Sequence, residues 1–158
     1  MKLSACVIVK NEEKNLPQWL AYANAAADEK IVVDTGSRDE TAALARAAGA
    51  KVYEFPWQDD FAAARNFALS KATGGWIAFL DADETFTAPE RVRPLLAEVE
   101  VLHPEAEAVK VMIANVDEDD GGREFQRFMA VRLFKRRPGL NYRGRVHEML
   151  VGEDGQLP

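Results

Sequence analysis

Asp81 and Asp83 stand one alanine apart at the end of an apolar run, Trp-Ile-Ala-Phe-Leu-Asp-Ala-Asp-Glu at 76–84. Two carboxylates at that spacing point the same way if the backbone is extended. They can then share one hard divalent cation with the oxygens of a diphosphate, water taking the remaining positions. A lone Asp-x-Asp is unspecific, since most such pairs are solvated loop carboxylates, and its context has to decide.

That context contains further polar groups at the ends of apolar runs. Asn11-Glu12 follows Leu3 to Val9, and Asp34 follows Ile31-Val32-Val33. If these runs are strands of one parallel sheet, the acidic groups line one crevice at its carboxyl edge, where open α/β folds bind ligands. Carboxylates gathered there repel one another unless a cation or hydroxyl groups occupy the space. Local sequence leaves Asp34 two readings: an acceptor for a ribose or base edge, or an aspartate that caps its own turn. Arg65 also has two, a contact to a base or diphosphate and a solvated helix charge.

Periodicity gives the elements that must position these residues. Leu3 to Val9, Lys30 to Val33, Lys51 to Phe55 and the run from Trp76 read as buried strands. Leu16, Trp19, Leu20 and Ala23 share one helical face, and Pro17 fits only a first turn, so that helix starts near Asn15. Thr41 to Ala48 is an alanine-rich helix, with Ser37 and Glu40 at capping-box spacing and Gly49 as its stop. Asp59 or Asp60 caps a third helix carrying Phe61, Ala64, Ala68 and Leu69. Thr87 and Glu90 make a second capping box ahead of Val92, Leu95, Leu96 and Val99, which have core-facing spacing. Such alternation predicts an α/β fold with a mostly parallel sheet flanked by helices. After Pro104 the pattern changes. Ala108 to Ala114 and Phe128 to Phe134 read as an antiparallel pair with Gly121-Gly122 at its tip, and Tyr142 to Val146 as one more strand. With no repeat or linker, residues 1–158 are expected to form a single domain.

Composition narrows the function classes. The chain is 47% hydrophobic and 29% charged, as in ordinary globular proteins, and its net charge of −6 argues against nucleic acid or an anionic membrane as the main partner. Cys6, the only cysteine, excludes an internal disulfide and lies in an apolar run, which makes it a core residue rather than a nucleophile. No run approaches the roughly 20 apolar residues needed to span a bilayer, and nothing resembles a signal peptide, so the default location is cytoplasmic.

The same residues carry a resemblance. Ala-Cys-Val-Ile-Val-Lys-Asn-Glu-Glu at 5–13, Val-Val-Asp-Thr-Gly-Ser at 32–37, Asp-Phe-Ala-Ala-Ala-Arg-Asn at 60–66 and Phe-Leu-Asp-Ala-Asp-Glu at 79–84 resemble the family 2 glycosyltransferases. Four ordered motifs are far more specific than one Asp-x-Asp. Arg-Leu-Phe-Lys-Arg-Arg-Pro-Gly-Leu at 132–140 and Gly-Arg-Val-His-Glu at 144–148 resemble a bacterial subset of that family. The resemblance implies a GT-A (Rossmann-like) fold and inverting transfer from a nucleotide-diphosphate sugar, UDP-linked by preference. It implies Mn²⁺ or Mg²⁺ as cofactor and a glycan, lipid or protein as acceptor.

Carried over by position, Asp34 and Arg65 would hold the nucleotide, with the loop of Lys10, Asn11 and Glu12 beside the base. Asp81 would face the ribose or metal, and Asp83 would be the metal ligand. Inverting transfer needs a base near the acceptor hydroxyl, and Glu148 stands where such enzymes place an acidic residue. His147 could ligate metal or touch phosphate, and the two could equally be an ordinary exposed pair. Glu118-Asp119-Asp120 also resembles the acidic base motif, but a hairpin tip suits a solvated loop better. Arg38 and Glu40 depart from the family's threonine and glycine.

Family members are generally longer, so the chain is expected to be shortened at its C-terminus. That leaves a donor-binding module without full transferase activity as the alternative. Nucleotidyl transfer would want a glycine in the loop after the first strand, and Lys10-Asn11-Glu12-Glu13 has none. A phosphoacceptor receiver domain would leave the later hairpin and His147-Glu148 without a purpose.

Overall fold

A computed structural model describes residues 1–155. Four strands, β1 (Leu3–Val9), β2 (Glu29–Asp34), β3 (Lys51–Glu54) and β4 (Trp76–Phe79), are parallel, and β5 (Ala108–Asp117) and β6 (Arg123–Lys135) complete one sheet in the order β3-β2-β1-β4-β6-β5. β6 runs antiparallel to β4, and β5 and β6 form a hairpin longer than sequence predicts, with Gly121 and Gly122 in left-handed conformation at its tip. This is the expected α/β architecture.

Strands β1, β2 and β4 are buried on both faces, which explains why they lack alternating polarity. Leu3, Ala5, Val7 and Val9 of β1 face a core built with α1 (Leu16–Ala26), α2 (Thr41–Ala47) and α4 (Val92–Leu102). Cys6 faces the opposite core, with Ala68 and Ala72 from α3 (Phe61–Lys71) and its C-terminal flank. Burial pushes the Cys6 thiol far up, as befits an inert core residue.

Helix starts follow the sequence only in part. α1 begins beside Asn15 with Pro17 in its first turn, and Asp60 caps α3 by accepting from the Ala63 N–H at 2.9 Å. Neither capping box forms. The Ser37 hydroxyl instead accepts the Asn11 N–H, 2.9 Å away, and Asp39 accepts the Thr41 N–H ahead of α2. A 3₁₀ turn at Pro89–Arg91 precedes α4, which has no side-chain cap. The single strand expected at Tyr142 to Val146 is instead a small hairpin, β7 (Asn141–Arg143) with β8 (Met149–Val151). Gly144 (φ 104°) and His147 (φ 56°) are left-handed between its strands, so an extended run cannot continue there. Among the described residues no helix is long and apolar enough to cross a membrane.

Candidate active site

The carboxyl edge of the parallel strands gathers the predicted groups. Asp34 ends β2 directly across from Val9, and Phe79 ends β4 across from Cys6. Asp81 follows two residues beyond the last paired position, on the same carboxyl side of the sheet.

The first loop is laced to the second. Asn11, left-handed at φ 55°, donates its N–H to Ser37 and accepts the Arg38 N–H at 2.8 Å, while the Glu12 N–H reaches the Thr41 hydroxyl at 2.8 Å. Asp34 is buried, and its Oδ1 accepts the Gly36 and Ser37 N–H groups at 3.2 and 2.9 Å. The turn-capping reading of Asp34 is therefore realised, through one of its two oxygens. Lys10 is exposed at the end of β1.

Asp81 and Asp83 are not on one extended strand. β4 stops at Phe79, and the chain turns, with the Glu84 N–H reaching the Asp81 carbonyl at 3.0 Å and the Glu84 carboxylate accepting the Asp81 N–H at 3.1 Å. The two aspartates consequently have different surroundings. Asp81 is paired with Arg65 at 2.6 Å and lies 3.7 Å from Arg132. Asp83 is exposed, and the arginines nearby are committed to Asp81, Glu84 and Glu148. Desolvation by the protein around it, then the Asp81 and Glu84 charges, raises the Asp83 carboxyl above the usual range. A carboxylate crowded by negative charge is what a divalent cation would relieve. Among the described residues no three His, Cys, Asp or Glu converge on one point. A cation held at Asp83 would have to take most of its oxygens from a phosphate ligand and water, a coordination that Mg²⁺ tolerates.

Arg65 is not a solvated helix charge. It is 8% exposed, its Nε donates to Glu148 at 2.7 Å, and its guanidinium lies over the rings of Phe79 and Tyr142 at 4.7 and 5.3 Å. Burial opposes its charge, but Asp81, Tyr142 and Glu148 outweigh that cost and raise its pKa further. Glu148 is thereby fixed at the site, 83 residues away from its partner in sequence. His147 is exposed on the loop just before it, and Glu118, Asp119 and Asp120 are exposed at the hairpin tip. Sequence reasoning gave no role to Glu84, Arg132 or Tyr142, although Glu84 adjoins the Asp-x-Asp and Arg132 opens a basic motif.

A cleft of roughly 690 Å³ lies beside this turn. It is lined by Asp81, Asp83 and Arg132 together with Val111, Ile113 and Asn115 of β5. Its mixed lining suits a ligand with hydroxyl groups and apolar ring faces.

Comparisons with known proteins give the family and the fold. The profile of Glycosyl transferase family 2 matches residues 4–151. A TPR repeat-containing protein of Synechococcus elongatus is 39% identical over 149 residues, covering 94% of this chain and 35% of that protein. Staphylococcus aureus TarS (residues 1–349) matches 71% of this chain and 34% of its own, at TM-score 0.58 and 24% identity. Glucosyl-3-phosphoglycerate synthase of Mycobacterium tuberculosis, solved with Mn²⁺, UDP-glucose and phosphoglyceric acid, matches 69% of this chain and 42% of its own, at TM-score 0.57 and 25% identity. The chain spans about a third of the length of the curated relatives it matches.

Proposed function

Because the chain belongs to glycosyl transferase family 2, with the GT-A fold of its structural relatives, we propose that it binds a nucleotide-diphosphate sugar, uridine-linked by preference, with Mn²⁺ or Mg²⁺. In this reading the sugar passes to an acceptor with inversion, in the cytoplasm. The observation that carries it is the division of labour at residues 81–84. Asp81 and Glu84 are held by arginines, while the Asp83 carboxylate is exposed and lines the cleft beside the Asp81 and Glu84 charges.

Asp83 would hold the metal, with Asp81 behind it and His147 as the further candidate. The bound cation would stabilise charge on the departing diphosphate as a Lewis acid. The residues of the chain do the rest. Asp34, through the oxygen not engaged by its own turn, would accept hydrogen bonds from the nucleoside, beside the loop of Lys10, Asn11 and Glu12. Arg65 neutralises Asp81 and orients Glu148. Glu148 would take the proton of the acceptor hydroxyl through the oxygen that Arg65 does not engage.

A relative solved with UDP-glucose and Mn²⁺ supports the donor class. A thermal-shift panel of UDP, GDP and ADP with and without Mn²⁺ tests this reading, since a ligand that binds only the native state must raise the midpoint. UDP with Mn²⁺ should give the largest shift. A panel in which no nucleotide shifts the midpoint would remove the donor reading.

A further inference from the structure

The turn that presents Asp83 is tied to α3 through Arg65 and Asp81, and to the sheet through Arg132. Ile77 pairs with Phe134 and Ala78 with Leu133 across β4 and β6. Continuing that register sets Arg132 opposite Phe79, two residues before Asp81. From there the Arg132 Nε and Nη2 donate to the two Glu84 oxygens, each at 2.7 Å, and Nη2 lies 3.7 Å from Asp81. Glu84 in turn accepts the Asp81 N–H. Arg132 thus grips both ends of the four-residue turn, and the Arg132 and Glu84 side chains are only 20% and 17% exposed. A planar guanidinium making two parallel bonds fixes orientation as well as distance, unlike a solvated surface pair.

We propose that Arg132 is a positioning residue for the metal site. Through Glu84 it sets the turn at the angle that aims the Asp83 carboxylate into the cleft. This rests on the metal-dependent donor binding proposed above. It places a determinant of metal affinity on β6, 49 positions from the ligand in sequence (132 − 83), with no contact to the cation itself. The base end of the donor site, at Asp34 and the Asn11 loop, lies on other strands and is independent of this grip.

The test is UDP affinity by calorimetry, in Mn²⁺ and in chelator, for wild type, Arg132→Gln, Arg132→Lys, Glu84→Gln and the Arg132→Gln/Glu84→Gln double variant. The ratio of the two affinities is the readout, because a loss of fold stability alone leaves it unchanged in the folded fraction. Arg132→Gln should lower the Mn²⁺ enhancement about 10- to 100-fold, the usual effect of removing a partner that orients a metal ligand. Affinity in chelator should stay within about twofold, given that independence. Arg132→Lys keeps the charge without the paired bonds and should fall between. The double variant should lose no more than the larger single, since both remove one grip.

A folded Arg132→Gln with the wild-type Mn²⁺ enhancement overturns the proposal. Should that variant not fold, Arg132→Lys with an unchanged enhancement overturns it equally. A wild type whose UDP affinity ignores Mn²⁺ overturns the metal reading and this inference together. A metal-dependent wild type with indifferent variants removes Arg132 alone.

Discussion

Glu29→Gln should remove a pH-dependent part of the stability while sparing the ligand site. Glu29 opens β2, at the sheet edge opposite the cleft, and is 8% exposed. Its Oε1 accepts from the Ser4 hydroxyl at 2.5 Å and from the Thr73 N–H and hydroxyl at 2.6 and 2.9 Å, while Lys51 donates to Oε2 at 3.0 Å. Gly74 completes the pocket, since a Cβ there would sit 2.6 Å from the Ser4 oxygen. Burial alone would raise this carboxyl, but the hydrogen bonds outweigh it and hold the pKa at about 2, from 4.5. At about 1.4 kcal/mol per unit, the ionised form contributes about 3 kcal/mol to stability at pH 7. The sign follows from the depressed value. The contribution is complete above the unfolded-state pKa, and it disappears as pH falls through the folded one. About 2 kcal/mol of it should be gone by pH 3. Urea unfolding of wild type and Glu29→Gln across pH 3–7 measures this. The two stability curves should converge by about 2 kcal/mol as the solution is acidified. Parallel curves would refute the assignment, and a changed UDP affinity would show that the two sheet edges are coupled.

Substitutions at two positions separate the roles at the carboxyl edge. Asp34→Asn keeps an acceptor for the Gly36 and Ser37 N–H groups, so its melting temperature should hold while nucleotide affinity falls by about 1–3 kcal/mol, the range for a hydrogen bond to a charged group. Asp34→Ala should lose both, and unchanged calorimetric affinity in either variant would leave only the turn-capping role. Glu148→Gln keeps its size and the bond from Arg65 but cannot take a proton. In a full-length parent with measurable transfer, single-turnover rates should fall by about 10²–10⁴ with donor affinity intact. Unchanged transfer would move the search for the base to His147 or Asp119.

The fold was legible because short apolar runs alternate with helical stripes, and a buried parallel sheet leaves that mark whatever its ligand. The Ser37 capping box failed for a reason no local spacing carries, because the Ser37 hydroxyl accepts from Asn11, 26 residues away. The same holds at the Asp-x-Asp. Extended geometry was a fair reading of Leu80 to Glu84 alone, but Glu84 folds the chain back by accepting from Asp81 and Arg132. Arg65 could be placed on its helix, yet its partners are 16 and 83 residues distant. Side chains that bond across such separations have no periodicity to betray them, so the residues at the carboxyl edge were readable and their supports were not.

The central claim is that Asp83 carries the metal that holds the donor. Calorimetry of UDP with wild type and Asp83→Ala, each in Mn²⁺ and in chelator, tests it most directly. Wild type should bind UDP more tightly in Mn²⁺, and Asp83→Ala should bind equally in both conditions, at the affinity of wild type in chelator. An Asp83→Ala protein that keeps the full Mn²⁺ enhancement would contradict the account.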